Sequence, residues 1–578
     1  MKYTPCLLAA SLALSLAACG QSPQIAASDP GAPGAGIEAF SGAYLIGFKQ
    51  DGLQGQNLQQ QALMQAQAIS SAGGTATGQW TEISAAAARL SPAALEKLRA
   101  NPLVEYVEPD LVRHAMGTRS AGTAAAAVSR GSLGRQNLYA QDVYNASGET
   151  TWGNAALRVP ALRTANYTGA GVAVCVTDTG IDGNHPEFGG KLKGFKNFVT
   201  TEANRNDPYA LNDVSHHGTH VSGTIFAQYG AGTGASGLQA GQDPNGIGGV
   251  ASGVNLYMAR VLGDSGSGSS SGIINGVNWC VAQLKSQGGT ENKVVVSMSL
   301  GGGRASKTEE RAYTAAYNKG ALIVAATGND GGAVSYPAAY PNVVGIGAID
   351  SNEAKADFSN FGTQVDLVGP GVHVLSSIPL GQGVAATGSG GGVAFTDVQA
   401  ADLSGKGTMS GTVVAAGGTN NEFCGVGTRN SALNGAIALI SRGTCSFEEK
   451  TANAVGSGAK AVLIYNNTAG SLGMTLTNTY SVPVAGILQT DGTALLGKLP
   501  TTGTVSVTGS DYEYLDGTSM ATPHVSAAAA LVWAAKPTLT NTQLLSLLKS
   551  TAKDLGAAGR DNNFGDGLVN PLKAITGQ

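Results

Sequence analysis

Three short stretches carry side chains that could together make and break a covalent bond. They are Asp178-Thr179-Gly180, His217-Gly218-Thr219-His220-Val221-Ser222-Gly223 and Gly517-Thr518-Ser519-Met520-Ala521-Thr522-Pro523-His524. A hydroxyl is a poor nucleophile at neutral pH, so Ser519 needs a base. His217, with a near-neutral pKa, can take the proton and later return it to a leaving amine. Asp178 follows an apolar run that ends at Val176. An aspartate leaving a buried strand can be partly desolvated yet hydrogen-bonded, fit to orient the histidine and stabilise its imidazolium form. Ser519 opens a helical stretch whose free amides and dipole favour developing negative charge. The chemistry this allows is acyl transfer to a serine.

Blander readings compete with each motif. Asp178 could be a turn residue, and Ser519 could be a helix N-cap, which is compatible with the catalytic role. His216, His217 and His220 lie close enough to raise a metal site, but the metalloprotease helix H-E-x-x-H needs Glu after its first His, and Gly218 stands there. His217 is therefore read as catalytic and His220 as structural. Gly407-Thr408-Met409-Ser410 imitates the serine motif, but the order is inverted and no helical run with a proline follows, so Ser410 is rejected.

The elements that must position these residues belong to an α/β fold. Apolar runs such as Gly171-Val172-Ala173-Val174-Cys175-Val176 and Lys293-Val294-Val295-Val296-Ser297-Met298 alternate with helical stretches, which predicts a mainly parallel sheet covered on both faces. Sites then form at the carboxyl ends of strands. Residues 520–536 read as an Ala-rich helix interrupted by Pro523, and residues 541–551 as an amphipathic helix.

In the order Asp, His, Ser, the motifs resemble the subtilisin-like serine protease (subtilase) family over roughly residues 152–380 and 512–570. The resemblance implies a three-layer domain and a serine endopeptidase that works through an acyl-enzyme on proteins or peptides, with no cofactor for catalysis. It implies that Asn329, in Ala325-Ala326-Thr327-Gly328-Asn329, and the Ser519 amide form an oxyanion hole. It makes Ser299, Leu300, Gly301 and Gly302 the segment that pairs with substrate backbone. Tyr336-Pro337-Ala338-Ala339-Tyr340-Pro341 follows the pattern near the specificity pocket, and Ser335 before it points to a pocket not sealed by charge. Glu187 and Asn245 fall where relatives place calcium ligands; the fit is partial, because Glu replaces the usual Asp and the loop 227–249 is long.

Around this core the expected organisation is a lipoprotein-type signal peptide at 1–19, a flexible tether at 20–40, an inhibitor-like propeptide at 41–115 and a linker with the processing site at 116–150. The catalytic domain is expected at 151–380 and 511–578, and an inserted β-rich unit at 381–510. Leu16-Ala17-Ala18-Cys19 resembles a lipoprotein box, with Cys19 lipidated. Leu103-Val104-Glu105-Tyr106-Val107-Glu108-Pro109-Asp110 resembles the end of subtilisin-type propeptides, a small α+β unit that acts as an intramolecular inhibitor. Gly435-Ala436-Ile437-Ala438-Leu439-Ile440 and Ala459-Lys460-Ala461-Val462-Leu463-Ile464 resemble the protease-associated domain, a docking module. Cys424 and Cys445 are expected to pair; Cys175 and Cys280 fit either buried thiols or a second bridge.

Composition narrows the alternatives. Hydrophobic residues make up 42% and charged residues 12%, with 84 glycines, as in a loop-rich globular protein. A net charge of −4 without a long basic block removes the footprint of a nucleic-acid binder. An exported, secreted monomer is expected, tied to a membrane only through a lipid anchor before processing. A binding protein on an inactive protease fold is the contrasting reading, but no triad or oxyanion residue is missing. An esterase would ordinarily carry a Gly-x-Ser-x-Gly elbow, which Ser519 lacks.

Overall fold

The computed structural model describes residues 38–51, 56–116, 149–202, 205–230, 246–395, 397–401, 403–468, 472, 474 and 476–578. The expected signal peptide with Cys19, the tether up to residue 37, the linker over 117–148 and Asn245 lie outside the described residues.

The apolar runs form seven parallel strands in the order Leu367–Pro370, Val344–Ile349, Leu322–Ala326, Val294–Met298, Ala173–Asp178, Asn255–Arg260 and Gly194–Asn197. The three central strands are buried at every residue, as a sheet covered on both faces requires. Helices His217–Phe226 and Thr518–Ala535 pack together, and Ser270–Val281 packs with Lys307–Asn318. The result is the expected three-layer α/β arrangement. A disulfide joins Cys175 in strand Ala173–Asp178 to Cys280 in helix Ser270–Val281, with Cα atoms 5.7 Å apart. Of the two readings left open for this pair, the bridge is the one formed.

Helix Thr518–Ala535 corrects one expectation, because it runs through Pro523 without a break. Proline lacks an N–H, so the carbonyl four residues back, that of Ser519, loses its helical partner. The Ser299 hydroxyl donates to that carbonyl at 2.9 Å. The missing bond is replaced from the neighbouring segment, and the helix stays whole.

The first unit is an antiparallel sheet in the order Val104–Ala115, Ala39–Phe48, Ala85–Arg89, Thr75–Trp80. Helix Pro92–Arg99 opens at Ser91, whose hydroxyl accepts the Ala94 amide at 3.2 Å. Side chains alternate across the strands. Ile46, Phe48, Ala86 and Ala88 pack with Ile69 and Leu98 of the unit's own helices. Leu45, Ala85 and Ala87 pack with Trp80 onto Ile274 and Ala312 of the large domain. Two carboxylates complete this docking. Asp110 accepts the Ser271 amide at 3.0 Å, and Glu108 accepts the Thr308 amide at 2.9 Å. Each meets the first turn of a large-domain helix, where unpaired amides favour negative charge.

The inserted unit is built on an eight-stranded mixed sheet. Its entry and exit strands, Gly383–Gly390 and Thr501–Ser510, pair antiparallel from Gly383↔Ser510 onward. Below them Val374–Ser377 pairs with Tyr512–Leu515. The insertion thus leaves and rejoins the large domain along a zipped stem, four residues before Ser519. A disulfide joins Cys424 and Cys445, Cα atoms 5.8 Å apart. Ser410 lies in this sheet, its hydroxyl bonded to that of Thr504 at 2.8 Å. Among the described residues no helix is long and apolar enough to cross a membrane.

Candidate active site

Asp178 ends strand Ala173–Asp178 and is fully buried. Its Oδ1 accepts the Thr179 amide at 2.7 Å and meets His217 Nδ1 at 2.7 Å. His217 opens its helix after His216, which takes the left-handed conformation at φ 68°. The helix start comes this close because residue 218 is glycine; a methyl there would lie 2.9 Å from the Gly180 amide nitrogen and would overlap its carbonyl. Thr179 Oγ1 accepts the Gly218 amide at 2.8 Å and donates to Asp213 at 2.7 Å. Asp213 in turn accepts the Thr219 amide at 2.8 Å. Burial pushes the His217 imidazole down, but the Asp178 carboxylate, helped by Asp213, outweighs it and holds the pKa above the ordinary 6.5. His220 points elsewhere: its Nε2 lies 3.1 Å from the carbonyls of Val374 and Glu513.

Ser519 sits in the first turn of its helix, its side chain buried. The hydroxyl donates to the Ser299 carbonyl at 3.0 Å. A Ser519–His217 hydrogen bond is not formed, and among the described residues His217 Nε2 has no partner. A serine side chain changes wells by rotating about one bond. Asn329 is fixed from behind: its Oδ1 accepts the Thr518 amide at 2.9 Å and the Thr518 hydroxyl at 2.8 Å.

The cleft between these groups is filled by the last strand of the first unit. Val104–Ala115 runs antiparallel to Leu300–Gly301, with Leu300 opposite Ala115 and Gly301 opposite His114. On its other side it pairs with Ser267–Ser269. The Met116 amide donates to the Ser299 carbonyl at 3.1 Å. The Met116 carbonyl accepts Asn329 Nδ2 at 2.7 Å and the Ser519 amide at 3.2 Å. A peptide carbonyl therefore lies between two donors beside the serine hydroxyl, as an oxyanion site requires.

Asp178 meets His217, Asn329 and Ser519 meet at the Met116 carbonyl, and Ser299, Leu300 and Gly301 engage the strand in the cleft. Gly302 does not pair with it; its amide donates to the Tyr336 carbonyl at 2.8 Å. It still touches the strand closely, since a methyl there would lie 2.9 Å from Arg113 Nη1. Glu187 lies apart, its Oε1 accepting the Ile247 amide at 2.9 Å and the Tyr512 hydroxyl at 2.8 Å. Sequence reading missed Asp213, the buried Arg260 that donates to the Thr179 carbonyl at 2.9 Å, and the Ser267–Ser269 edge. The alternating Gly266-Ser267-Gly268-Ser269 was the available signal for that edge.

Comparison with known proteins agrees with this geometry. Residues 169–416 and 490–567 match the Subtilase family, and residues 409–495 match the PA domain. The chain is 33% identical over 365 residues to Subtilisin NAT of Bacillus subtilis subsp. natto, covering 62% of this chain and 78% of that protein. It is 39% identical over 229 residues to Subtilisin Savinase of Lederbergia lenta, covering 39% and 74% respectively. Among solved structures, the psychrophilic subtilisin-like protease Apa1 from Pseudoalteromonas sp. AS-11 superimposes with a TM-score of 0.53 at 31% identity, over 73% of this chain and 96% of that one. Fervidolysin from Fervidobacterium pennivorans, at 21% identity and a TM-score of 0.55 over 93% of this chain and 61% of that one, shares the fold.

Proposed function

The chain belongs to the subtilase family, and from that premise we propose that it is a serine endopeptidase made as a precursor that cuts itself after Met116. One observation carries the reading: the Met116 carbonyl is held by Asn329 Nδ2 and the Ser519 amide while its own amide is held by Ser299. The Ser519 hydroxyl turns from Ser299 and attacks the carbonyl carbon, passing its proton to His217 Nε2. Asn329 and the Ser519 amide take the oxyanion; in subtilisin the equivalent side-chain donor supplies about 2.7–4 kcal/mol. The C–N bond breaks as His217 protonates the leaving amine. Water, deprotonated by His217, then splits the ester and leaves a carboxylate on Met116 and a free Ser519 hydroxyl. Asp178 keeps the imidazole in the tautomer that this sequence needs. The same cleft serves protein substrates in trans, and residues 41–115 act as the inhibitor because their last strand fills it.

Export by the leader, a lipid on Cys19 until processing, a monomeric mature enzyme and a docking role for the PA domain are proposed with the endopeptidase reading. Calcium fits only in part. Glu187 offers one carboxylate oxygen already shared by two protein donors. Among the described residues no group of three His, Cys, Asp or Glu side chains could hold a metal. Backbone carbonyls would have to complete the six or more oxygens that calcium takes, and no step of the reaction passes through it. A melting temperature unchanged by chelator would remove calcium from the reading.

The test is to express wild type and Ser519→Ala and to sequence the N-terminus of each product. Wild type should be cut after Met116 and labelled by a covalent serine-hydrolase probe, and Ser519→Ala should remain a full-length precursor without label. An unlabelled, uncut wild type would favour a binding protein on an inactive fold.

A further inference from the structure

We propose that Glu309 forms an acidic subsite that selects substrates with arginine at the fourth position before the cut bond. The inference rests on the endopeptidase reading, because the position is counted back from the carbonyl held by Asn329 and Ser519. Met116 is then the first residue before the bond, and Arg113 is the fourth. Of these four residues Arg113 alone is buried; His114 is half-exposed, with its ring between Ser267 and Glu38.

Arg113 enters the pocket as a fork. Its Nε donates to Glu309 Oε1 at 3.0 Å, and its Nη2 donates to Glu309 Oε2 at 2.6 Å and to the Arg304 carbonyl at 2.8 Å. Both side chains are almost wholly removed from solvent, at 1% and 0% exposure. The fit of a planar guanidinium to a carboxylate is specific to arginine; lysine offers a point charge without the second parallel bond.

The pocket belongs to the enzyme and not to its inhibitor. Glu309 lies in the first turn of helix Lys307–Asn318, and its amide is capped by Ser306 Oγ at 3.2 Å. The Tyr340 hydroxyl donates to Oε2 at 2.9 Å, and the Ser270 hydroxyl donates to Oε1. Every one of these groups stays when the first unit leaves. The carboxylate keeps its two hydroxyl partners, and when a peptide strand covers it again it needs a cation, since an enclosed charge without its partner is strongly unfavourable. The backbone pairing of Val104–Ala115 with Leu300–Gly301 and Ser267–Ser269 is of the kind any extended peptide can make. A substrate arginine at the same register enters the same fork, and an apolar or acidic side chain there leaves Glu309 unpaired.

Four coumarylamide peptides test this on the processed protein: acetyl-X-His-Ala-Met with X as Arg, Lys, Ala or Glu. The arginine peptide should exceed the alanine peptide in kcat/KM by about 100-fold, the scale on which a buried charge pair discriminates. Lysine should fall between them and glutamate last. In Glu309→Gln the arginine-to-alanine ratio should collapse toward one, with the change carried mainly by KM. A wild-type ratio near one overturns the acidic subsite, whether or not the variant folds. If no peptide is cleaved and the serine probe does not label, the endopeptidase reading itself fails, which is a different outcome.

Discussion

At the scale of single residues, the proposed chemistry turns on the proton of His217. The base is active when neutral, so kcat/KM should rise with pH through the His217 pKa and level off above it. Because Asp178 raises that pKa above 6.5, the half-maximum of the acid limb should lie above 6.5 in wild type. Asp178→Asn removes the nearer anion and leaves burial, which acts in the opposite direction, opposed only by the smaller pull of Asp213. The limb should move to lower pH while kcat falls about 10⁴-fold, as it does when the aspartate of a serine-protease triad is so changed; a pH–rate profile on one peptide substrate checks both. The placement of Asp178, His217 and Ser519 was legible because each stands in a local motif at the end of a strand or the start of a helix. Asp213 and Glu309 were not, because their meaning comes from partners distant in sequence. Asp213 acts through Thr179, and Glu309 through Arg113, 196 residues away. No window of neighbouring residues contains either pair.

At the scale of elements, the site depends on strands that tolerate close approach. A methyl at Gly301 would lie 2.7 Å from the Tyr336 carbonyl oxygen and would run into the Met116 side chain. Gly301→Ala should therefore raise KM for peptides several-fold and weaken inhibition by the separately added first unit, with kcat changed less; steady-state kinetics on short peptides separates these. The parallel strands were readable from their unbroken apolar runs, and helix Asn541–Thr551 is formed at the residues its pattern indicated. Pro523 misled because its cost is offset outside the helix, by a serine hydroxyl some 220 residues earlier in the chain. The Ser267–Ser269 edge escaped because short Gly/Ser segments carry little strand propensity; pairing with another chain segment is what makes them strands.

At the scale of the whole molecule, the two bridges tie different units. Cys175–Cys280 closes a loop with a sequence separation of 105. Replacing both cysteines by alanine should lower stability by about 2–5 kcal/mol, read as a fall in the denaturant midpoint with peptide hydrolysis retained under native conditions. Cys424–Cys445 closes a separation of 21 inside the inserted unit. The division into a small α+β unit, a large α/β domain and a β-rich insertion was legible from shifts of composition and from motif. The resemblance implied that the last strand of the first unit leads into the cleft, but the rest of its seat on the large domain was not readable, since that depends on Glu108 and Asp110 meeting two helix ends that sequence does not bring together. The strand Val104–Ala115 has one more consequence, and it concerns time. If the chain is severed after Met116 as proposed, that strand stays seated between its two neighbours, so a molecule that has just matured is still plugged. The first copy to lose its plug can digest the plugs of others, and activity in a fresh preparation should therefore appear after a lag that shortens as protein concentration rises, in the manner of a chain reaction.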